Sequence, residues 1–350
     1  MKCGCCEMNM KIAVLKFGGT SVANAEARQY AAERIRKFLQ DGYRVVTVVS
    51  AMGRKGMPYA TDTLLSLISE NAEPECKDLL MSCGETISAS IFADVLCNAG
   101  IDAVPMSAVT AGIYTDGTAQ NANITKVDTD AIRSVLEQKK VTVITGFQGV
   151  SLSRRINTLG RGGSDTSAVV LAAWMRAEIC VIYTDVPGIA SCDPRIVPDA
   201  GYFRCINTDQ MYLLAQNGAG VIHERAVKAA MENGVRLYVR STFDTDTGTL
   251  IANDIPPKNG FVGIALRHDG EMDVVSILAP QIKALPPRAT EAADAVGASV
   301  CACPEDGIFQ ICVDKNKSAE MVRNLYHCVT AHPFLSPLGG RSVQRSQNHS

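Results

Sequence analysis

The chain has 350 residues, 47% of them hydrophobic and 20% charged, with a formal net charge of -2. That is enough apolar material for two domains with buried cores, and no basic excess of the kind that binds nucleic acid or an acidic membrane surface. The thirteen cysteines are scattered along a long chain rather than concentrated in a short one, which predicts reduced thiols in a cytoplasm rather than a disulfide scaffold.

The opening Cys3-Gly4-Cys5-Cys6 run has no apolar stretch behind it, and residues 1–10 read as a disordered, cysteine-rich tail. The sequence holds no long uninterrupted apolar segment, so neither export nor a membrane span is predicted. From Lys11 onward, short β-branched runs alternate with helical stretches, the pattern of a mainly parallel sheet covered by helices on both faces. Strands are predicted at Ile12 to Lys16, Arg44 to Ser50, Ala103 to Met106, Val141 to Thr145, Ile179 to Thr184 and Arg236 to Arg240. Helices are predicted at Ala23 to Gln40, Glu85 to Ala99, Thr129 to Lys139, Ser164 to Met175 and Ala226 to Asn233. Gly42, Gly100 and Gly234 follow three of these helices as stops.

This first domain covers 11–253. The polar stretch 254–260, with Pro256 and Pro257, reads as a linker. A smaller α+β domain over 261–332 has predicted strands at Asp273 to Leu278, Ser299 to Cys303 and Ile308 to Val313. Its helices lie near Arg288 to Val296 and Ser318 to Cys328, a β-α-β-β-α order that suits a small antiparallel sheet. Residues 333–350 are rich in Ser, Gly, Gln and Asn and read as a disordered tail.

Four elements carry chemistry. Lys16-Phe17-Gly18-Gly19-Thr20-Ser21 ends the first strand at a glycine-rich turn leading into a helix, a place where backbone amides and a lysine hold phosphate. The same pattern also fits a plain tight turn, and no Gly-Lys-Thr/Ser triplet closes it as in a Walker A loop. Gly160-Arg161-Gly162-Gly163-Ser164-Asp165 opens a helix that Ser164 or Asp165 would cap. Capping leaves Arg161 and the glycines unaccounted for, whereas gripping a carboxylate gives both a role. Ser82-Cys83-Gly84-Glu85-Thr86 places Glu85 in the first turn of a helix, where it either satisfies the helix dipole or holds an amino group. Tyr183-Thr184-Asp185 ends a buried strand and Ser191-Cys192-Asp193-Pro194-Arg195 follows, at the strand end where open α/β sheets bind ligands; a simple Pro187-Gly188 turn is the plainer reading.

In this order and spacing, together with Val49-Ser50-Ala51-Met52-Gly53, Thr61-Asp62, Gly146-Phe147-Gln148-Gly149 and Asp193-Pro194-Arg195-Ile196-Val197-Pro198, the chain resembles the aspartokinases of the amino-acid kinase type from about Lys11 to Ala252. Arg54-Lys55-Gly56 and Pro58-Tyr59-Ala60-Thr61-Asp62 are most similar to the monofunctional, diaminopimelate-regulated enzymes. The resemblance implies a three-layer αβα sandwich followed by an ACT-like domain of ferredoxin-like order. It also implies transfer of the ATP γ-phosphate to the side chain of L-aspartate with Mg²⁺ carried mainly on the phosphates, and a cytoplasmic homo-oligomer such as a dimer. It assigns the β,γ-phosphates to Lys16, Gly18 and Gly19, and aspartate to Thr61, Glu85, Arg161 and Ser164. Asp165 would orient the active-site lysine, and Thr184, Asp185, Ser191, Asp193, Pro194 and Arg195 would hold the nucleotide. Three departures stand out. Gly220 occupies a common lysine position, Ala190 a common tyrosine position, and only one ACT-like segment follows, with Leu285-Pro286-Pro287-Arg288 near the place of the effector turn.

Overall fold

In the computed structural model the described residues are 10–138, 141–245, 248–281, 287–302 and 307–330. The cysteines Cys3, Cys5 and Cys6, both predicted tails apart from Met10, and Leu285 and Pro286 lie outside them. In chain order the strands are β1 (Ile12–Phe17), β2 (Arg44–Val49), β3 (Ala103–Met106), β4 (Ile113–Thr115), β5 (Ile124–Val127), β6 (Val141–Thr145), β7 (Gln148–Val150), β8 (Ile156–Thr158), β9 (Ile179–Thr184), β10 (Cys205–Asn207), β11 (Leu237–Ser241), β12 (Thr249–Ala252), β13 (Gly263–Asp269), β14 (Met272–Leu278), β15 (Ser299–Ala302) and β16 (Ile308–Asp314). The helices are α1 (Ala25–Gln40), α2 (Thr61–Leu65), α3 (Pro74–Asn98), α4 (Thr129–Gln138), α5 (Gly163–Met175), α6 (Thr208–Gln216), α7 (Glu224–Asn233), α8 (Pro287–Ala295) and α9 (Ser318–Thr330).

Two compact units form: residues up to Gly188 together with Ile222–Asn253, and Ile189–Val221 together with the chain from Asp254 onward. In the first, strands run in the order β12-β11-β9-β1-β2-β6-β3. Every pair is parallel except β11 with β12. β1 is buried along its whole length, as a strand covered on both faces must be. Ala13, Leu15 and Phe17 pack into one apolar layer with Ala31 and Ile35 of α1 and Phe92 and Leu96 of α3. Alternation therefore turns Ile12, Val14 and Lys16 to the opposite face, where α5 packs on β1. That geometry brings Lys16 and the start of α5 together at the carboxyl end of the sheet.

A second sheet, β5-β4-β7-β8, has no counterpart in the sequence reading. Its strands are three or four residues long, too short for period-two alternation to register. The larger correction concerns α3. It starts at Pro74 in its first turn, not near Glu85, and runs for 25 residues. Glycine is a poor helix former, yet Gly84 is helical here for a packing reason: a Cβ would lie 2.8 Å from Ala51 Cβ and 3.1 Å from the Tyr59 carbonyl. Glu85 is consequently a mid-helix residue with no first-turn role. α3 is long and apolar enough to cross a membrane by length and composition alone, yet it buries Asp78 and Glu85 within the fold, as a core helix does.

In the second unit, β13-β14-β16-β15 form an antiparallel sheet. β13 adds a strand to the predicted order, which becomes β-β-α-β-β-α. Val275, Ile277, Phe309, Ile311 and Val313 pack against Ala289 and Ala293 of α8 and Met321, Val322 and Leu325 of α9. The segment 189–221, expected within an 11–253 domain, belongs to this unit instead. Cys192, Val197 and Ala200 enter the same core. Asn217 Oδ1 accepts from Ser276 Oγ at 2.9 Å and from Gln310 Nε2 at 3.0 Å. Cys76, Cys83, Cys97, Cys180, Cys192, Cys205 and Cys328 are free thiols, whereas Cys312 is disulfide-bonded, against the reading of all cysteines as reduced.

Candidate active site

The carboxyl ends of β1, β2 and β6 open onto a cleft of about 710 Å³ in the first unit. Its floor is made where loops approach at distances only glycine permits. A Cβ on Gly19 would stand 2.5 Å from the Gly53 carbonyl oxygen and 2.8 Å from that of Ala51. The Gly53 amide donates to the Gly19 carbonyl at 2.9 Å, tying the two turns together. Gly18 donates to the Tyr183 carbonyl at 3.2 Å.

Lys16 Nζ lies 2.6 Å from Asp165 Oδ1, and both side chains are nearly shielded from water. Asp165 sits in the first turn of α5, whose cap position is Gly162 at φ +68; no side chain caps the helix, so neither Ser164 nor Asp165 does what capping predicts. Glu85 is only 2% exposed. Its Oε1 accepts from the Ala51 amide at 3.0 Å, while Oε2 has no partner among the described residues. Burial dominates and pushes its carboxyl up to about 8, against the smaller opposing pull of the Ala51 amide and the Lys16 charge. Arg161 lines the same cleft, exposed, with no hydrogen-bond partner among the described residues. Thr61 lines it from the start of α2, and Ser164 from α5.

At the end of β9, Thr184 Oγ1 donates to Asp185 Oδ1 at 3.2 Å, and Asp185 pairs with Arg54, a cleft residue. Ser191, Asp193, Pro194 and Arg195 lie in the other unit. There Ser191 Oγ meets the Tyr326 hydroxyl at 3.1 Å, and Arg195 pairs with Asp193 at 2.6 Å, which holds the Asp193 carboxyl below its usual range. The cleft also includes Gln120 and Thr158, which sequence reasoning does not single out, and Phe147, which it gives only within a matching segment and with no role. Phe147 adopts φ +69, a left-handed backbone costly for an aromatic residue. It is held there by its amide donating to Ser167 Oγ at 3.0 Å and its carbonyl accepting from Leu159 N at 2.8 Å. No local pattern in Gly146-Phe147-Gln148 announces that conformation.

An uncapped helix end, a lysine–carboxylate pair, an unpaired arginine and a half-satisfied buried glutamate can together hold a phosphate and a small zwitterion. Compared with known proteins, residues 11–241 match the amino acid kinase family. The chain belongs to that family. Among relatives, this amino acid kinase is 43% identical over 254 residues to aspartokinase 1 of Bacillus subtilis (strain 168), covering 72% of this chain and 63% of that protein. It is 42% identical over 271 residues to aspartokinase 2 of the same organism, covering 77% of this chain and 65% of that one. It thus spans a little under two thirds of the length of these curated relatives. A solved structure of E. coli aspartokinase III in complex with aspartate and ADP shares the fold with a TM-score of 0.76 at 19% identity, covering 91% of this chain and 99% of that chain.

Proposed function

We propose that this amino acid kinase transfers the γ-phosphate of ATP to the side-chain carboxylate of L-aspartate, giving 4-phospho-L-aspartate and ADP. The observation that carries the reading is Glu85 Oε2, buried and without a partner among the described residues, in a cleft that also presents the Arg161 guanidinium, likewise without a partner among the described residues. A buried carboxylate oxygen lacking a donor calls for a cationic group, and a free guanidinium calls for a carboxylate; an α-amino acid brings both. The curated relatives' names support aspartate as that amino acid.

In this reading Arg161, Thr61 and Ser164 bind the substrate's α-carboxylate end, and Glu85 binds its ammonium. An ionised side-chain carboxylate is already nucleophilic at neutral pH and needs no general base. Its oxygen forms the new bond to the γ-phosphorus as the bond to the β,γ-bridging oxygen breaks, and ADP leaves with that electron pair. Lys16, oriented by Asp165, and the turn of Gly18 and Gly19 neutralise charge on the transferring phosphoryl group. Thr184 and Asp185 are proposed for the nucleotide, and Ser191, Asp193, Pro194 and Arg195 on the resemblance alone. Mg²⁺ is proposed to be carried mainly on the nucleotide's phosphates, as the resemblance implies. Bound there, Mg²⁺ would offset phosphate charge.

The product would feed synthesis of diaminopimelate, lysine, threonine and methionine in the cytoplasm. The β-β-α-β-β-α region is proposed as an ACT-like module for regulation or self-association. Incubation of purified protein with ATP, Mg²⁺ and L-aspartate, with the acyl phosphate trapped as its hydroxamate, tests the central claim. Turnover with L-glutamate or N-acetylglutamate and none with L-aspartate would overturn it, as would ATP binding without phosphate transfer to any of the three.

A further inference from the structure

The loop that carries Arg161 is held from outside the cleft by two side chains that do not line it. Arg225, at the start of α7, spreads its guanidinium over two loops: Nη1 donates to Asn121 Oδ1 at 2.9 Å and to the Leu159 carbonyl, and Nη2 donates to the Ala122 carbonyl at 2.9 Å and Asn123 Oδ1 at 3.0 Å. None of these acceptors is a carboxylate. A planar fork bonded to neutral oxygens on two separate loops fixes their spacing, which an ordinary surface ion pair does not. Asp78 ties the same two loops together a second time. It is fully buried on α3, and its carboxylate accepts from the Gln120 amide at 3.1 Å and from Thr158 Oγ1 at 2.6 Å.

The backbone between these anchors tolerates no slack. Gly160 sits at φ +73, and a Cβ there would lie 3.0 Å from the Gln120 carbonyl oxygen. Gly162 sits at φ +68, where a Cβ would lie 2.1 Å from His223 Cβ. The Arg161 backbone is therefore wedged between 120–121 and 223–225. Asp78 also stands on the same helix as Glu85, about 10 Å further along the axis at 1.5 Å per residue. We infer that Arg225 and Asp78 are positioning residues that brace the Arg161 loop at a fixed separation from Glu85, and so set affinity for the amino-acid substrate rather than the rate of phosphate transfer. This rests on the reading of Arg161 and Glu85 given above.

The test compares wild type with Arg225→Lys and Arg225→Ala. Lysine retains the charge but offers one point donor in place of a fork, so both variants are expected to raise KM for L-aspartate about tenfold or more, with kcat within about threefold and KM for ATP unchanged. Hydrogen exchange at the amides of 159–163 and 120–123 is expected to quicken about tenfold, while β1 and α3 keep their protection. A merely structural role would instead lower the melting temperature and move kcat and both KM values together. An unchanged KM for L-aspartate in Arg225→Lys, with or without faster exchange, overturns the inference, and so does a raised KM with unchanged exchange. If wild type does not phosphorylate L-aspartate, the functional reading fails by itself. Exchange in Arg225→Lys then decides whether the brace exists, and unchanged exchange overturns it. If Arg225→Ala does not fold, Asn121→Ala, which removes one side-chain acceptor of Arg225 and does not line the cleft, replaces it with the same expected pattern.

Discussion

Lys16 Nζ and Asp165 Oδ1 meet at 2.6 Å across the junction between the end of β1 and the start of α5, with side-chain exposures of only 11% and 13%. The pair makes the position of the lysine depend on the carboxylate. Replacing Asp165 by Asn keeps the shape and removes the charge, and is expected to lower kcat about 10²-fold or more, because Lys16 loses its orientation toward the developing phosphoryl charge. Lys16→Met should cost at least as much. Steady-state kinetics on folded protein check both, with circular dichroism reporting the fold.

Glu85 predicts a pH dependence of known sign. Its carboxyl is raised from 4.5 to about 8 in the ligand-free protein, so between those values the folded state holds a proton that the unfolded state has lost. Stability contributed by this group is therefore greatest below about 4.5, declines as pH rises through the window and levels off above about 8. Glu85→Gln should flatten that part of the curve, as measured by urea midpoints across the range from about pH 5 to about pH 9.

The same residue predicts proton release. Holding an ammonium requires the ionised form, so affinity for L-aspartate should rise with pH up to about 8, with release of close to one proton per binding event at neutral pH. Calorimetry in two buffers of different ionisation enthalpy reads that release directly. Glu85→Gln should weaken binding by about 1.5–3 kcal/mol and abolish the buffer dependence.

Gly19 and Gly42 should separate packing from backbone conformation. Gly19→Ala places a methyl within 2.8 Å of two carbonyl oxygens and must push the 51–53 turn away, so about 1–3 kcal/mol of stability and most of kcat should be lost. Gly42 has φ +85 but open space around it, and Gly42→Ala should cost only about 1 kcal/mol with activity intact. Thermal melts and kinetics on the two variants give the contrast.

The Arg54–Asp185 pair is exposed, at 70% and 39%, and screening leaves it little weight in folding. Arg54→Ala should change stability by less than about 1 kcal/mol yet raise KM for ATP several-fold, since the change removes a cation from the cleft rim and leaves Asp185 uncompensated.

The central strands are legible in the sequence because burial on both faces writes itself as continuous apolar runs: β6 and β9 match the predicted spans to the residue, and β1 and β2 to within one; β3 also matches, although it is the edge strand with Pro105 exposed. The Lys16-Phe17-Gly18-Gly19 turn and the Arg161 loop stand out in the sequence because glycines cluster beside a lysine or an arginine, and the structure brings the two segments to one cleft. Glu85 is singled out by sequence for the wrong local reason. Its placement depends on Gly84 fitting under Ala51, a contact between residues more than thirty positions apart that helix propensity reports as a stop. The β4, β5, β7 and β8 sheet is hidden by the brevity of its strands, and Phe147's left-handed backbone by its origin in tertiary hydrogen bonds to Ser167 and Leu159. The grouping of 189–221 with the C-terminal region likewise follows from contacts such as Ser191 with Tyr326, for which neither neighbourhood carries a local signal.

The cysteines of α3 have a practical consequence. Cys76, Cys83 and Cys97 are free and exposed, spaced by seven and fourteen residues and so on one edge of the helix. By contrast, burial pushes the thiols of Cys180 and Cys192 upward, so both resist alkylation. At 1.5 Å per residue the edge offers attachment points about 10 and 20 Å apart, a built-in scale for spin labels or fluorophores on the helix that bears Glu85.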